Sequence, residues 1–166
     1  LERGFFISNS EVGDRSFRLV RFYYNSVCSN HIIWSVEDVK ELRVVHRGVD
    51  GSAGDRAFKG MDSTLIEYAN QSATDDEAVI NRAVETKIGD SKKDVVDAIF
   101  GKRILPRKVL EASYDLAEEH PEDGHKGPET VYGMINGITR YSQTLGFADR
   151  RSEVDEAAGK LLKMDF

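Results

Sequence analysis

The spacing of apolar residues changes near residue 50 from about two to about 3.6, dividing the chain into a strand-like part and a helical part. Phe5-Phe6-Ile7 is a short apolar run ended by Ser8-Asn9-Ser10, and Gly13-Asp14 is a turn signal ahead of Arg15 to Tyr24. That stretch predicts a strand. It puts Arg15, Phe17, Leu19, Arg21 and Tyr23 on one side, and Ser16, Arg18, Val20, Phe22 and Tyr24 on the other. Val27 to Trp34 predicts a second strand, interrupted by Ser29-Asn30-His31, where a bulge fits. Leu42 to Gly48 alternates again, with Leu42, Val44 and His46 opposite Arg43, Val45 and Arg47.

Small, turn-rich residues from Val49 to Asp55 predict a linker, and helix signals follow it. Phe58, Met61, Leu65 and Tyr68 form one helical stripe. Thr74 with Glu77 predicts a capping box before Ile80, Val84 and Ile88, with Gly89 placed as the stop. Ser91 and Asp94 repeat the start signal and Gly101 the stop. Pro106 predicts the first turn of a helix running to about His120, ended by Pro121, with 122–128 a polar loop. A further helix is apolar at Val131, Ile135, Ile138 and Leu145. The last starts near Asp149 and packs Val154, Ala157, Ala158, Leu161 and Leu162.

These elements predict an α+β fold, an N-terminal antiparallel sheet from residues 1–48 with about five helices of residues 55–166 packed on it. The length of 166 residues predicts a single domain with room for a core. Hydrophobic residues at 40% and charged residues at 31% exclude a disordered tail. No apolar run reaches the roughly 18 residues that would span a bilayer. The chain opens on Leu1 with no signal-peptide pattern, which predicts a front-trimmed sequence, and one cysteine suits a cytoplasmic setting. The net charge of -6 is uneven: residues 1–48 carry seven Lys or Arg against six Asp or Glu, whereas 49–166 carry sixteen against twenty-three. A nucleic-acid role therefore requires a local basic surface.

Three blocks in order resemble one family. They are Ser8-Asn9-Ser10-Glu11-Val12-Gly13; Val27-Cys28-Ser29-Asn30 with Val45-His46-Arg47-Gly48; and Thr130 to Thr139, which includes Asn136. The order is similar to that of a family of phage- and plasmid-borne proteins of unknown function whose members are longer, so the resemblance implies a chain lacking their N-terminal region. His31 stands where the family has Gly, a residue less tolerant of positive φ. The resemblance implies a mobile-element setting among DNA-handling or counter-defence genes. It implies no activity, and marks Ser10, Glu11, Gly13, Cys28, Asn30, His46, Gly48 and Asn136 as motif positions.

Cys28 with His31 and His46 has the composition of a thiol nucleophile with a base, but Cys28 follows a valine in a strand-like run and His46 shares a face with Leu42 and Val44. Both read as structural. His120, Glu122, Asp123 and His125 are metal-ligating residue types, yet they fill a Pro- and Gly-rich loop without fixed helical spacing and read as solvated. No metal and no cofactor is expected. Gly133 and Gly137 form a small-xxx-small pair that predicts close packing in a soluble core. Lys102-Arg103 and Arg107-Lys108 bracket a helix start and read as an exposed turn.

Basic and aromatic residues interleave on the strands: Arg18, Arg21, Arg43 and Arg47 with Tyr23 and Tyr24 are candidates for binding single-stranded nucleic acid, cations on phosphates and rings on bases. Their competing role is in a sheet whose arginines pair with Glu11, Asp14, Glu37 or Glu41. The expectation is a single-stranded DNA- or RNA-binding or annealing accessory protein. The alternative is a protein-binding module that engages a host or defence factor through acidic helices. An enzyme ranks third, for want of a convincing site, and homo-oligomers are compatible with either class.

Overall fold

The computed structural model describes backbone at 2–8, 18–24, 32–34, 73–121 and 127–166, with separate helical residues between 59 and 70. Side chains are described at those separate residues and over 77–121 and 127–166. The linker at 49–55 and the strand expected over 42–48 lie outside the described residues, as does most of the stripe from Phe58 to Tyr68.

Among the described residues five continuous helices make up the body: α1 (Ala73–Glu85), α2 (Lys92–Gly101), α3 (Arg107–Glu119), α4 (Val131–Gln143) and α5 (Ala148–Lys160), the last tightening into a 3-10 turn at Leu161–Lys163. Among residues with described side chains, 74% are helical and none lies in a strand. This overturns the expected α+β arrangement of helices laid on a sheet; the fold is helical. The reason lies in α4. Every residue from Val131 to Thr139 is buried, and a helix buried on all sides must be enclosed by other elements rather than rest one stripe on a sheet.

The enclosing surfaces are Ile80 and Ala83 of α1, Val95, Val96 and Ile99 of α2, Leu110 and Tyr114 of α3, and Ala157, Ala158, Leu161 and Leu162 at the C-terminal end. Three strands exist as backbone: β1 (Glu2–Ser8), β2 (Arg18–Tyr24) and β3 (Ile32–Trp34), antiparallel in the order β1-β2-β3. Of these, β3 lies alongside α4 and α5.

Local chemistry explains most helix ends. Ser91 is the N-cap of α2, its hydroxyl accepting from the Asp94 amide at 3.3 Å. Thr130 caps α4 in the same way, accepting from the Gly133 amide at 3.1 Å. Pro106, at φ -62, precedes α3 where its missing N–H costs nothing. The expected capping box at Thr74 falls inside α1, which begins at Ala73, and α1 ends at Glu85, short of Gly89. Gly89 is there for space: a Cβ would lie 2.8 Å from that of Asp94.

Between α1 and α4 the chain makes a closed excursion. Lys87 and Thr130 form an antiparallel bridge, in which the Ile88 amide donates to the Glu129 carbonyl at 2.7 Å and the Val131 amide to Thr86 at 3.0 Å. Segment 88–129 leaves and re-enters the body at one point, and α2 and α3 lie within it.

The two glycines of α4 permit close approach, as their spacing predicts, but to different neighbours. A Cβ at Gly137 would overlap the Ser113 carbonyl oxygen, 3.0 Å from the carbonyl carbon and 2.9 Å from the Ala117 Cβ, so α3 crosses α4 there with backbone against backbone. A Cβ at Gly133 would meet the connector instead, 2.7 Å from the Gly127 carbonyl carbon and 3.0 Å from the Pro128 Cα.

Candidate nucleic-acid interface

The α2–α3 connection collects positive charge around an exposed ring. Helix α2 ends at Gly101, as expected, with its C-cap at Lys102, and the left-handed residue that follows is Arg103, at φ 58. Glycine commonly fills this position; an arginine there costs roughly 1 kcal/mol of backbone strain. The Lys102 and Arg103 amides donate at 3.0 Å to the carbonyls of Ile99 and Phe100, which fixes the turn. Ile104 and Leu105 then fold inward and Pro106 starts α3.

Lys102, Arg103, Arg107 and Lys108 are all exposed. Phe100 is 43% exposed, with the Arg107 guanidinium 4.8 Å from its ring centre. Arg107 also pairs with Asp97 at 2.5 Å, both side chains being exposed. Lys102 donates to the Asp165 carbonyl at 3.0 Å and sits 5.5 Å from the Phe166 ring centre. Arg103 and Lys108 form no ion pair with a described residue, so both charges remain available. An open groove of about 690 Å³ runs beside them, lined by Phe100, Gly101, Arg103, Ile104, Leu105 and Pro106.

The surface changes sign along α3. Lys92 of α2 pairs with Asp115 and lies 6.0 Å from the Tyr114 ring centre, and exposed Glu118 and Glu119 close the helix with no basic residue in its last turn. Tyr114 donates to Glu129 Oε1 at 3.1 Å. Burial, with that bond and the nearby carboxylates, pushes its hydroxyl up to about 12. On α5, burial pushes the Asp155 carboxyl up to about 7, against the opposing Ser142 hydrogen bond and Arg151 charge, and its Oδ1 is buried without a hydrogen-bond partner among the described residues.

The residues expected to bind nucleic acid fall elsewhere. Arg18, Arg21, Tyr23 and Tyr24 share β2 as backbone, paired with Ser8, Phe5, Arg3 and Glu2 of β1, and their side chains lie outside the described residues. Arg43 and Arg47 lie wholly outside them, as do motif positions Ser10, Glu11, Gly13, Cys28, Asn30, His46 and Gly48. The exception is Asn136, buried in α4 in a packing position. His120 is exposed, while Glu122, Asp123 and His125 are outside the described residues, and no group of metal-ligating side chains occurs among those described.

The run Lys102-Arg103…Arg107-Lys108 is visible in the sequence, and its expected exposure is what the structure has. The Phe100 ring and the groove beside it were not legible there, because they depend on how 102–106 turns. No helix among the described residues is long and apolar enough to cross a membrane. No family model, curated protein or solved structure matches the chain.

Proposed function

We propose that this chain is an accessory protein of a mobile element that binds single-stranded nucleic acid. The motif blocks that resemble the phage- and plasmid-borne family support the setting. The binding reading is carried by one observation: four exposed cations share the α2–α3 connection with a half-exposed phenylalanine, and three of them, Lys102, Arg103 and Lys108, form no ion pair among the described residues. Single strands are held by such surfaces, with phosphates on cations and unpaired bases against aromatic or guanidinium planes. A chain of net charge -6 repels phosphate at long range, so the contact is short and local.

The test is fluorescence anisotropy with a labelled single-stranded oligonucleotide at two salt concentrations, with duplex as competitor. Binding should weaken with salt by a slope of about 0.7 per phosphate contact, and Lys108→Ala should remove about one contact. Absence of salt-dependent binding at micromolar protein would refute the reading.

The acidic end of α3, with Glu118 and Glu119 exposed, favours a second reading in which that surface engages a basic face of a protein partner. Charge reversal at Glu118 and Glu119 separates the two. It strengthens nucleic-acid binding under the first reading and abolishes partner binding under the second.

A further inference from the structure

The geometry points to the groove between Phe100 and Pro106 as the seat of one unstacked base of a bound single strand, with Arg103 on the adjoining phosphate. This inference rests on the nucleic-acid reading and assigns a specific site within it. The groove is open, about 690 Å³, with room for a single planar ring. Its lining is mostly apolar, from Phe100, Ile104, Leu105 and Pro106, and this suits a flat ring.

Gly101 forms part of the lining, and the space where its Cβ would stand is empty to 4 Å. A planar group can therefore reach the backbone there. Arg103 occupies the lip. Its left-handed backbone is one that glycine adopts freely, so the guanidinium can be removed by Arg103→Gly without backbone strain. It has no ionic partner among the described residues, and exposed Lys102, Arg107 and Lys108 lie near it in the chain. A paired base in a duplex is held in its stack and cannot enter, so the site selects single strands.

Two variants test this because neither is expected to weaken the fold. Arg103→Gly removes the guanidinium and relaxes the backbone; Gly101→Leu fills the groove from a position with open space. Both are titrated with a labelled oligothymidylate and melted in parallel, with Lys108→Ala as the variant that lowers charge outside the groove. Arg103→Gly should bind roughly tenfold more weakly with a salt slope lower by about 0.7, at an unchanged or raised melting temperature. Gly101→Leu should bind several-fold more weakly with its slope unchanged, since it blocks the base and leaves the cations. If both bind as wild type while Lys108→Ala is weakened, the groove assignment is overturned and the basic surface stands. If the wild type itself does not bind, the functional reading fails and the groove assignment with it.

Discussion

Alanine at position 137 sets two known quantities against each other. Inside a helix Gly→Ala gains up to about 1 kcal/mol from reduced backbone freedom in the unfolded chain. At Gly137 the new methyl would stand 2.9 Å from the Ala117 Cβ and 3.0 Å from the Ser113 carbonyl carbon, where ordinary contact begins at 3.4 Å. The obstacle is the α3 backbone, and a rotamer change cannot relieve it. The helices must part by about half an ångström or more along the seam that buries Leu110, Tyr114 and Ala117. Overpacking of this kind costs about 1–3 kcal/mol, towards the upper end where backbone must move. The net loss should be about 2 kcal/mol, a fall of roughly 4 to 8 °C in melting temperature for a chain of this size. Gly101→Ala is the matched control, with no atom within 4 Å of the added methyl, and should be neutral or slightly stabilising. Thermal and urea unfolding followed by far-UV circular dichroism measures both. Equal stabilisation by the two substitutions would show that α3 and α4 do not cross with backbone against backbone.

Asp155 titrates near pH 7 folded and near 3.8 unfolded. Its contribution is complete below pH 4 and is lost as the pH rises to 7, because the unfolded chain ionises first. Asp155→Asn should accordingly gain on wild type between pH 4.5 and 7.5 by a few kcal/mol. An equal difference between the two proteins at both pH values in urea unfolding would contradict the buried carboxyl. Ser91→Ala should cost about 1 kcal/mol through loss of the α2 cap, and Ser91→Gly distinctly less; equal losses in chemical denaturation would dismiss the cap. The Ser113 hydroxyl is fully buried with no hydrogen-bond partner among the described residues, so Ser113→Ala should be neutral or stabilise by up to about 1 kcal/mol; a loss above that in the same assay would reveal a partner.

What the sequence makes legible is what local chemistry decides. Ser91 ahead of Asp94, Pro106, and the Val154 to Leu162 stripe each locate an element to within a residue or two, because caps and periodicity act over a single turn. Gly101 marks the end of α2 in the same way, although it is not itself the left-handed residue. Glycine is favoured at a left-handed position but does not compel one, and the turn forms two residues later at Arg103.

The full burial of α4 is hidden, since the apolar stripe of Val131, Ile135 and Ile138 predicts one packed face and not burial of Asn136 and Thr139 as well. Burial becomes tolerable only because Thr139 donates back to the Ile135 carbonyl at 3.1 Å and neighbouring helices cover the rest. The fold class is misread on the same grounds. Strand-like residues before position 48 suggest a sheet as the platform, whereas the helices find their platform in one another. As for the candidate site, its charges are consecutive in sequence and readable, but its groove is made by the path of the chain.

The bridge between Lys87 and Thr130 bears on how such a protein could be altered. Because the two ends of the excursion are hydrogen-bonded to each other, the entropy of closing that long loop is met at its base and is nearly independent of what lies at its far end. The α2–α3 tip is therefore an exchangeable cassette. Insertions or replacements at exposed Lys102 and Arg103 should leave Ile88–Glu129 and Val131–Thr86 pairing untouched, provided Ile104 and Leu105 keep their places against the core.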